Sequence, residues 1–537
     1  MSHQEYSHEV GIVIDVIKSY SPFKRWNKKD KDDKFTEITY SFPDWSKLRG
    51  DEYKTITTLN KFQEGIAEKI LQQWSDVTNI KFIKKNNKYD TNIKFGVYNN
   101  VNEITKDNSH LVLGVARYPY NNTDPNKKIE KATDYSSGGH VWINISSTVC
   151  IKKFNKKEMT LEQKNEVNLF KEKSDSVKYY YIETDTHITL YKNNNDSGHI
   201  NNQPIILPKG NRETQTYIHE TGHALGLPHT FKWDNYNNPD VEANTFKYTV
   251  MTYRYPKIEE ADLDGLYPMS PLLIDIYVIQ KFYGVNTTTR TGDNIYGFDS
   301  NTQREHYSLT SSDDTMITCI WDAGGIDTLN FYKYNKKQKI DLNEGAFSDV
   351  GGLQGNLSIA YGTVIENVIG GINDDIIIGN NVDNHLYGNN GNDIIYSNNG
   401  NDVLQGGKGN DWLYGGEDDD ILYGSDGNDI LWDDKGCNQF SGGKGKDIFI
   451  LGLSNYNSHN KIMDFTKSED ILLFADENDH TFTIKDLVKN NEITISSSYK
   501  HIENTTKISI SKEILSKKYI HTIELVGNFS FDDIFNS

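Results

Sequence analysis

The spacing of apolar residues changes period several times along the chain, and each change predicts a new element. Residues 35–42 alternate apolar and polar, the two-residue period of a strand with one buried face. Leu59, Phe62, Ile66, Ile70 and Trp74 then recur at helical spacing and predict the buried face of a long helix. Strand-like runs return at Ile80-Lys81-Phe82, at Asn92-Ile93-Lys94-Phe95, around 113–118 and at 140–144. A charged, helix-like segment (156–173) and a tyrosine-rich strand (177–191) come next, ahead of a helix containing Ile218. Residues 270–283 are apolar enough for a buried helix, and 284–291 read as a linker. Strands and helices in this order predict a twisted sheet with helices packed on it. From Gly370 to Ile450 the period becomes nine residues, repeated nine times, with Asp or Asn at the sixth position and an apolar residue at the eighth. Such a repeat predicts stacked turns with a continuous interior.

The densest chemistry lies in Ile218-His219-Glu220-Thr221-Gly222-His223-Ala224-Leu225-Gly226-Leu227-Pro228-His229. His219 and His223 are four apart, so on a helix their imidazoles leave the same face one turn from each other. Two neutral imidazoles so placed can grip one zinc ion. Gly226 lets the chain leave the helix, and the turn brings back His229 as a third nitrogen. Three protein ligands leave an open position, the mark of a catalytic site. Glu220, on an adjacent face, is the candidate general base. This is the extended zinc-protease spacing. Thr249-Val250-Met251-Thr252-Tyr253 follows, with Met251 a candidate for a turn beneath the metal and Tyr253 for a nearby phenol.

With these motifs the chain resembles the serralysins, secreted bacterial zinc metalloproteases of the metzincin group. The resemblance runs from about residue 35 to the C-terminus. It also rests on Gln73-Trp74-Ser75-Asp76-Val77, Pro271-Leu272-Leu273-Ile274-Asp275-Ile276, Thr289-Arg290-Thr291-Gly292-Asp293 and Trp321-Asp322-Ala323-Gly324-Gly325-Ile326-Asp327-Thr328. It implies an α+β metzincin-type protease domain followed by an all-β parallel β-roll of the RTX type. The expected division is a propeptide or flexible segment at 1–34, a catalytic domain at 35–284 and a calcium-binding roll at 285–537. Catalysis would use one zinc on His219, His223 and His229, Glu220 as base, and Tyr253 as a switchable fifth ligand that stabilises the transition state. One of the strands before the zinc helix, with 140–145 the candidate, would be the sheet edge that receives an extended peptide. Residues 147–211 exceed what the family carries and form an insertion beside the cleft. Thr230-Phe231 and the stretch 254–267 also depart from the family pattern. Asp275 is expected either to orient a zinc-ligand histidine or to cap its helix.

Charge sharpens the reading of the repeats. The chain has a formal net charge of −19, which argues against nucleic acid and anionic membrane as partners. Residues 370–450 hold fifteen acidic and four basic side chains, a net of −11. Carboxylates stacked a strand spacing apart, about 4.8 Å, repel unless cations lie between them. Asp375, Asp393, Asp402, Asp411, Asp420, Asp429 and Asp447 supply oxygen suited to calcium. Gly370, Gly388, Gly391, Gly400, Gly406, Gly407, Gly409, Gly415, Gly416, Gly424 and Gly427 allow the tight turns. Asn438, Ser441, Val382 and Asp418 break the pattern and are expected to leave some sites empty. By resemblance, Arg290, Gly292, Asp322, Gly324, Asp327 and Glu366 form further calcium sites.

Three scattered cysteines exclude a disulfide framework. The N-terminus lacks the pattern of a secretory signal peptide and no segment has the length of a membrane span. Residues 525–535 resemble the uncleaved C-terminal signal by which serralysins leave through a one-step (type I) secretion channel, except that Asn536-Ser537 extend past it. The expectation is a secreted, extracellular monomer acting on proteins or peptides. The type I secretion machinery is an expected partner, and a dedicated protein inhibitor is left open. Two alternatives are an inert calcium-binding RTX adhesion module and another exported hydrolase using the same roll.

Overall fold

A computed structural model describes residues 34–47, 56–59, 61–86, 91–98, 114–116, 140–143, 148–155, 179–183, 187–193, 210–230, 243–453, 457–467, 469–475, 480–483, 493–500, 505–514, 517–527 and 529. The segments 1–33 and 156–173 and the last eight residues, including most of the expected C-terminal signal, lie outside them. Phe231 does too. The chain forms two compact units, one of residues 1–256 and 265–286, the other of 257–264 and 287–537.

In the first unit the strands are β1 (Thr36–Ser41), β2 (Ile56–Thr57), β3 (Ile80–Lys84), β4 (Ile93–Tyr98), β5 (Gly114–Ala116) and β6 (His140–Ile143). They make one sheet in the order β3-β1-β4-β6-β5, with β2 beside the far end of β4. The β1–β3, β1–β4 and β4–β6 pairs are parallel; β5 joins antiparallel. Alternation along β1 works as expected: Ile38 and Tyr40 are buried while Glu37 and Thr39 are half-buried. The helix α1 (Lys61–Val77) buries Ala67, Ile70, Leu71 and Trp74. Phe95 and Trp45 are buried as well, and Trp45 Nε1 donates to the Phe95 carbonyl at 2.8 Å.

Two expectations change here. Residues 140–143 are not the sheet edge, because β6 has β4 on one side and β5 on the other. Among the described residues the sheet ends at β3 on one side and at β5 on the other. The predicted single strand at 177–191 is instead a hairpin of β8 (Tyr179–Glu183) and β9 (His187–Asn193), with β7 (Thr148–Asn155) on the far side of β9. This separate three-stranded sheet accounts for the described part of the insertion.

The helix α2 (Arg212–Leu225) packs on α1, β5 and β6. Asn211 caps it, its Oδ1 accepting from Thr214 N at 2.8 Å. Gly226 closes it with φ of 108°, a left-handed conformation that a side chain resists. The helix α3 (Leu273–Tyr283) is buried along most of its length.

In the second unit the nonapeptide region winds as a parallel roll. Each repeat contributes one strand, and successive strands go to opposite sheets, so register pairs residues eighteen apart. Ile377 lies beside Ile395 and Leu386 beside Leu404. Among the described residues the two sheets contain twelve and eight strands, including elements on either side of the repeats. Ile377, Leu386, Ile395, Leu404, Leu413, Leu422, Leu431, Phe440 and Phe449 are each at most 1% exposed. The eighth position of the repeat therefore lines the apolar interior of the roll along the nonapeptides.

Candidate functional site

The three histidines converge. His229 Nε2 lies 3.2 Å from His219 Nε2 and 3.1 Å from His223 Nε2. Helix α2 provides the first two, and the turn through Gly226 returns the third, its Leu227 N–H held by the Gly222 carbonyl at 2.9 Å. The outer ring nitrogens fix the tautomers. His219 Nδ1 donates to the Val250 carbonyl and His223 Nδ1 to the Leu227 carbonyl, each at 2.7 Å. Both Nε2 atoms must then present lone pairs to the same point as His229 Nε2. Tyr253 Oη stands 2.9 Å from His229 Nε2 and 3.2 Å from His219 Nε2, and its one proton satisfies one acceptor at most. Burial lowers the pKa of His219 to about 3 and of His223 to about 4, and that of His229 further still. Protons therefore do not fill the gap at neutral pH. A set of converging neutral nitrogens fits a borderline-soft cation such as zinc.

Glu220 is buried, 4% exposed, and that burial pushes its carboxyl up to about 8. Such a group holds and releases a proton near neutrality, as a general base and acid must. Tyr253 is 44% exposed, the only member of the group with substantial access to solvent among the described residues.

Part of the support beneath the histidines comes from groups the sequence did not single out. Gly222 is one: a Cβ there would sit 2.7 Å from Met251 Sδ and 3.3 Å from a Trp74 ring carbon. Met251 does lie under the site, 2% exposed, and it can approach only because position 222 lacks a side chain. The Val250 carbonyl is another. Its loop is held by Asp275, which accepts from Thr249 Oγ1 at 2.6 Å, Val250 N at 2.8 Å and Leu272 N at 2.9 Å. Of the two expected roles, Asp275 performs the cap. It also steadies the loop whose carbonyl orients His219. No sequence spacing signals either contact.

In the roll, the carboxylates form a ladder. The Oδ1 of Asp393, Asp402, Asp411, Asp420, Asp429 and Asp447 accepts the backbone N–H of the residue eighteen earlier, at 2.7–2.9 Å. The Oδ2 atoms of Asp393, Asp402, Asp411, Asp420 and Asp429 are buried with no donor. Gly388, Gly406 and Gly424 open space against these oxygens, where a Cβ would collide with Asp393, Asp411 and Asp429 Oδ2. Burial pushes Asp393 up to about 8, Asp420 and Asp429 to about 7, and Asp375, Asp402, Asp411 and Asp447 to about 6. Orphaned anionic oxygens beside glycine carbonyls fit a hard cation such as calcium.

Gly370, Gly391, Gly400, Gly407, Gly409, Gly415, Gly416 and Gly427 lie in the same turns. At Gly391, Gly400, Gly407, Gly409, Gly416 and Gly427 φ is between 105° and 157°. The expected sites before the repeats also gather. Asp327 Oδ1 accepts from Asn294 N and its Oδ2 is buried without a donor. Glu366 accepts from Asp327 N at 2.7 Å, and Asp322 Oδ1 from Gly324 N at 2.8 Å. The Gly292 carbonyl closes on Gly325. Arg290 spends its guanidinium on the Trp321 carbonyl, so only its own carbonyl could serve a cation.

Known sequences match this layout. A family model described as matrixin matches residues 25–256, and one described as the serralysin C-terminal region of peptidase M10 matches 285–535. The chain is 46% identical to serralysin C of Dickeya chrysanthemi over 185 residues, covering 33% of this chain and 39% of that protein. It is 34% identical to a serralysin of Proteus mirabilis over 367 residues, covering 66% of this chain and 61% of that one. The chain thus spans less than two thirds of the length of these relatives. With a matrixin region holding the converging histidines and a serralysin-type C-terminal region forming the roll, the chain belongs to the serralysin family.

Proposed function

We propose that this chain is a secreted, calcium-stabilised zinc endopeptidase that cleaves peptide bonds in proteins. The observation that carries the reading is the meeting of three histidine Nε2 atoms, those of His219 and His223 in a fixed tautomer and on the helix that also carries the buried Glu220. His219, His223 and His229 would hold zinc, which when bound supplies a Lewis acid that polarises a carbonyl and acidifies water. Glu220 takes the proton from the attacking water and delivers it to the departing amine, so the carboxyl ends the cycle as it began. Tyr253 donates its hydroxyl hydrogen to the developing oxyanion. An extended peptide adds to the β5 end of the sheet, where main-chain pairing gives binding with loose side-chain preference.

The roll supplies stability and timing. Calcium binding contributes directly to folding of the ladder, so the roll stays unfolded where calcium is scarce and folds outside the cell. Export through a type I channel, as in its relatives' family, is consistent with that behaviour. Casein hydrolysis by wild type and by Glu220→Gln tests the assignment, with zinc content measured on both. The expected result is a loss of about 10²–10⁴-fold in kcat with zinc retained. Equal activity in the two proteins would refute it.

A further inference from the structure

The coiling separates the repeats into two edges. Loops 370–375, 388–393, 406–411, 424–429 and 442–447 stack on one edge, and loops 379–384, 397–402, 415–420 and 433–438 on the other. The first edge keeps glycine at the first position and aspartate at the sixth throughout. The departures fall on the second: Asn384 and Asn438 replace the sixth-position aspartate, while Ser397 and Asp433 replace the first-position glycine.

The two asparagine loops differ in what surrounds them. Asn384 and Asn380 bond to each other, with Asn384 Oδ1 accepting from Asn380 N at 2.9 Å and Asn384 Nδ2 donating to Asn380 Oδ1 at 3.1 Å. Amide groups fill that turn and no carboxylate replaces the lost one. Asn438 keeps the ladder contact through its Oδ1, which accepts from Asp420 N at 2.8 Å. Its Nδ2 donates to the Lys435 carbonyl at 3.1 Å, so an N–H stands where an aspartate would offer its second oxygen. In this loop, however, Asp433 is 1% exposed and its Oδ2 has no donor. A Cβ on Gly415 would collide with Asp433 Oδ2 and sit 2.7 Å from Asp420 Oδ2, which is also buried without a donor. Two unpartnered carboxylate oxygens therefore face the same small space beside Gly415. Lys435 does not neutralise them: its ammonium pairs with Glu417, and only its backbone N–H reaches Asp433 Oδ1, at 3.2 Å.

We infer that Asp433 and Asp420 hold a calcium ion between loops 415–420 and 433–438, the carboxylate absent at Asn438 being returned from the first position of the same repeat. This loop is then a rewired site and not a lost one, unlike the loop of Asn384. The inference rests on the reading of the roll as a calcium ladder, and it adds a ligand that the repeat pattern does not contain.

Calcium per chain, counted by native mass spectrometry on the full-length protein at a fixed free calcium concentration, tests it. Asp433→Asn and Asp433→Gly should each carry one ion fewer than wild type. Asp433→Gly combined with Asn438→Asp, which rebuilds an ordinary repeat, should regain it. Terbium gives a second readout, because Trp432 and Tyr414 both bond to the adjacent Asp434 and can sensitise an ion held there. Emission excited through tryptophan should fall several-fold in the single variants and return in the double one. Should Asp433→Asn fail to fold, Asp433→Gly carries the repeat's usual residue and decides alone. An unchanged ion count in a folded single variant would overturn the inference and leave the two carboxyls sharing a proton. Absence of calcium from the wild type would instead overturn the ladder reading as a whole.

Discussion

Acid should partly replace calcium in folding the roll. The seven sixth-position aspartates have folded-state values of about 6 to 8, raised by burial, against about 3.9 in an unfolded chain. A carboxyl whose folded value is raised binds its proton more tightly in the folded state. Without calcium, stability is therefore greatest below the unfolded value and is lost as pH rises through 6 to 8. Taking the seven together, the calcium-free folded roll binds about two more protons than the unfolded chain at pH 7, and about six more at pH 5. Lowering the pH from 8 to 5 should thus order the calcium-free roll. With calcium bound the sign reverses, since protons then compete with the ion for the same oxygens. Hydrogen exchange in 376–452, corrected for intrinsic rates, measures both cases on the full chain. Protection that is no greater at pH 5 than at pH 8 after calcium removal would refute the reasoning, because the carboxyls would then not be the groups that hold the apo roll open.

Other substitutions probe the packing and the site separately. Gly222→Ala should destabilise the first unit by about 1–3 kcal/mol, read as a lowered Tm, because the new methyl meets Met251 and Trp74. It should also weaken zinc retention against a chelator. Tyr253→Phe removes the hydroxyl 2.9 Å from His229 Nε2 and should lower kcat about 10–100-fold with little change in KM. Leu413→Ala empties part of the roll interior between Ile395 and Leu431 and should cost about 2–5 kcal/mol in calcium-loaded denaturant unfolding.

Periodic features were legible in the sequence, and the reason is that they repeat the same physics many times. The nine-residue period fixed the interior of the roll, and the His219–His223–His229 spacing left few geometries besides convergence. Contacts made by backbone carbonyls and by a missing side chain were not legible. The Val250 and Leu227 carbonyls belong to residues of unremarkable type, and Gly222 occupies a position that the motif leaves free. Sheet order was also hidden. Residues 140–143 and 114–116 both read as strands, but only pairing shows which lies outside. Two strands per coil, in place of one, follows from the eighteen-residue register, which a nine-residue pattern does not distinguish.

The ladder of Oδ1 contacts has a polarity that sets an order of assembly. Every amide in it is clasped by a side chain from one coil later, and the last two clasps, Asn460 on Asn438 and Asp470 on Asp447, come from beyond the repeats. The coil nearest the C-terminus is consequently the one template that needs no nonapeptide above it. Winding should start there and travel backwards along the chain like a closing zip, so loss of Asn460 or Asp470 would delay every coil before it.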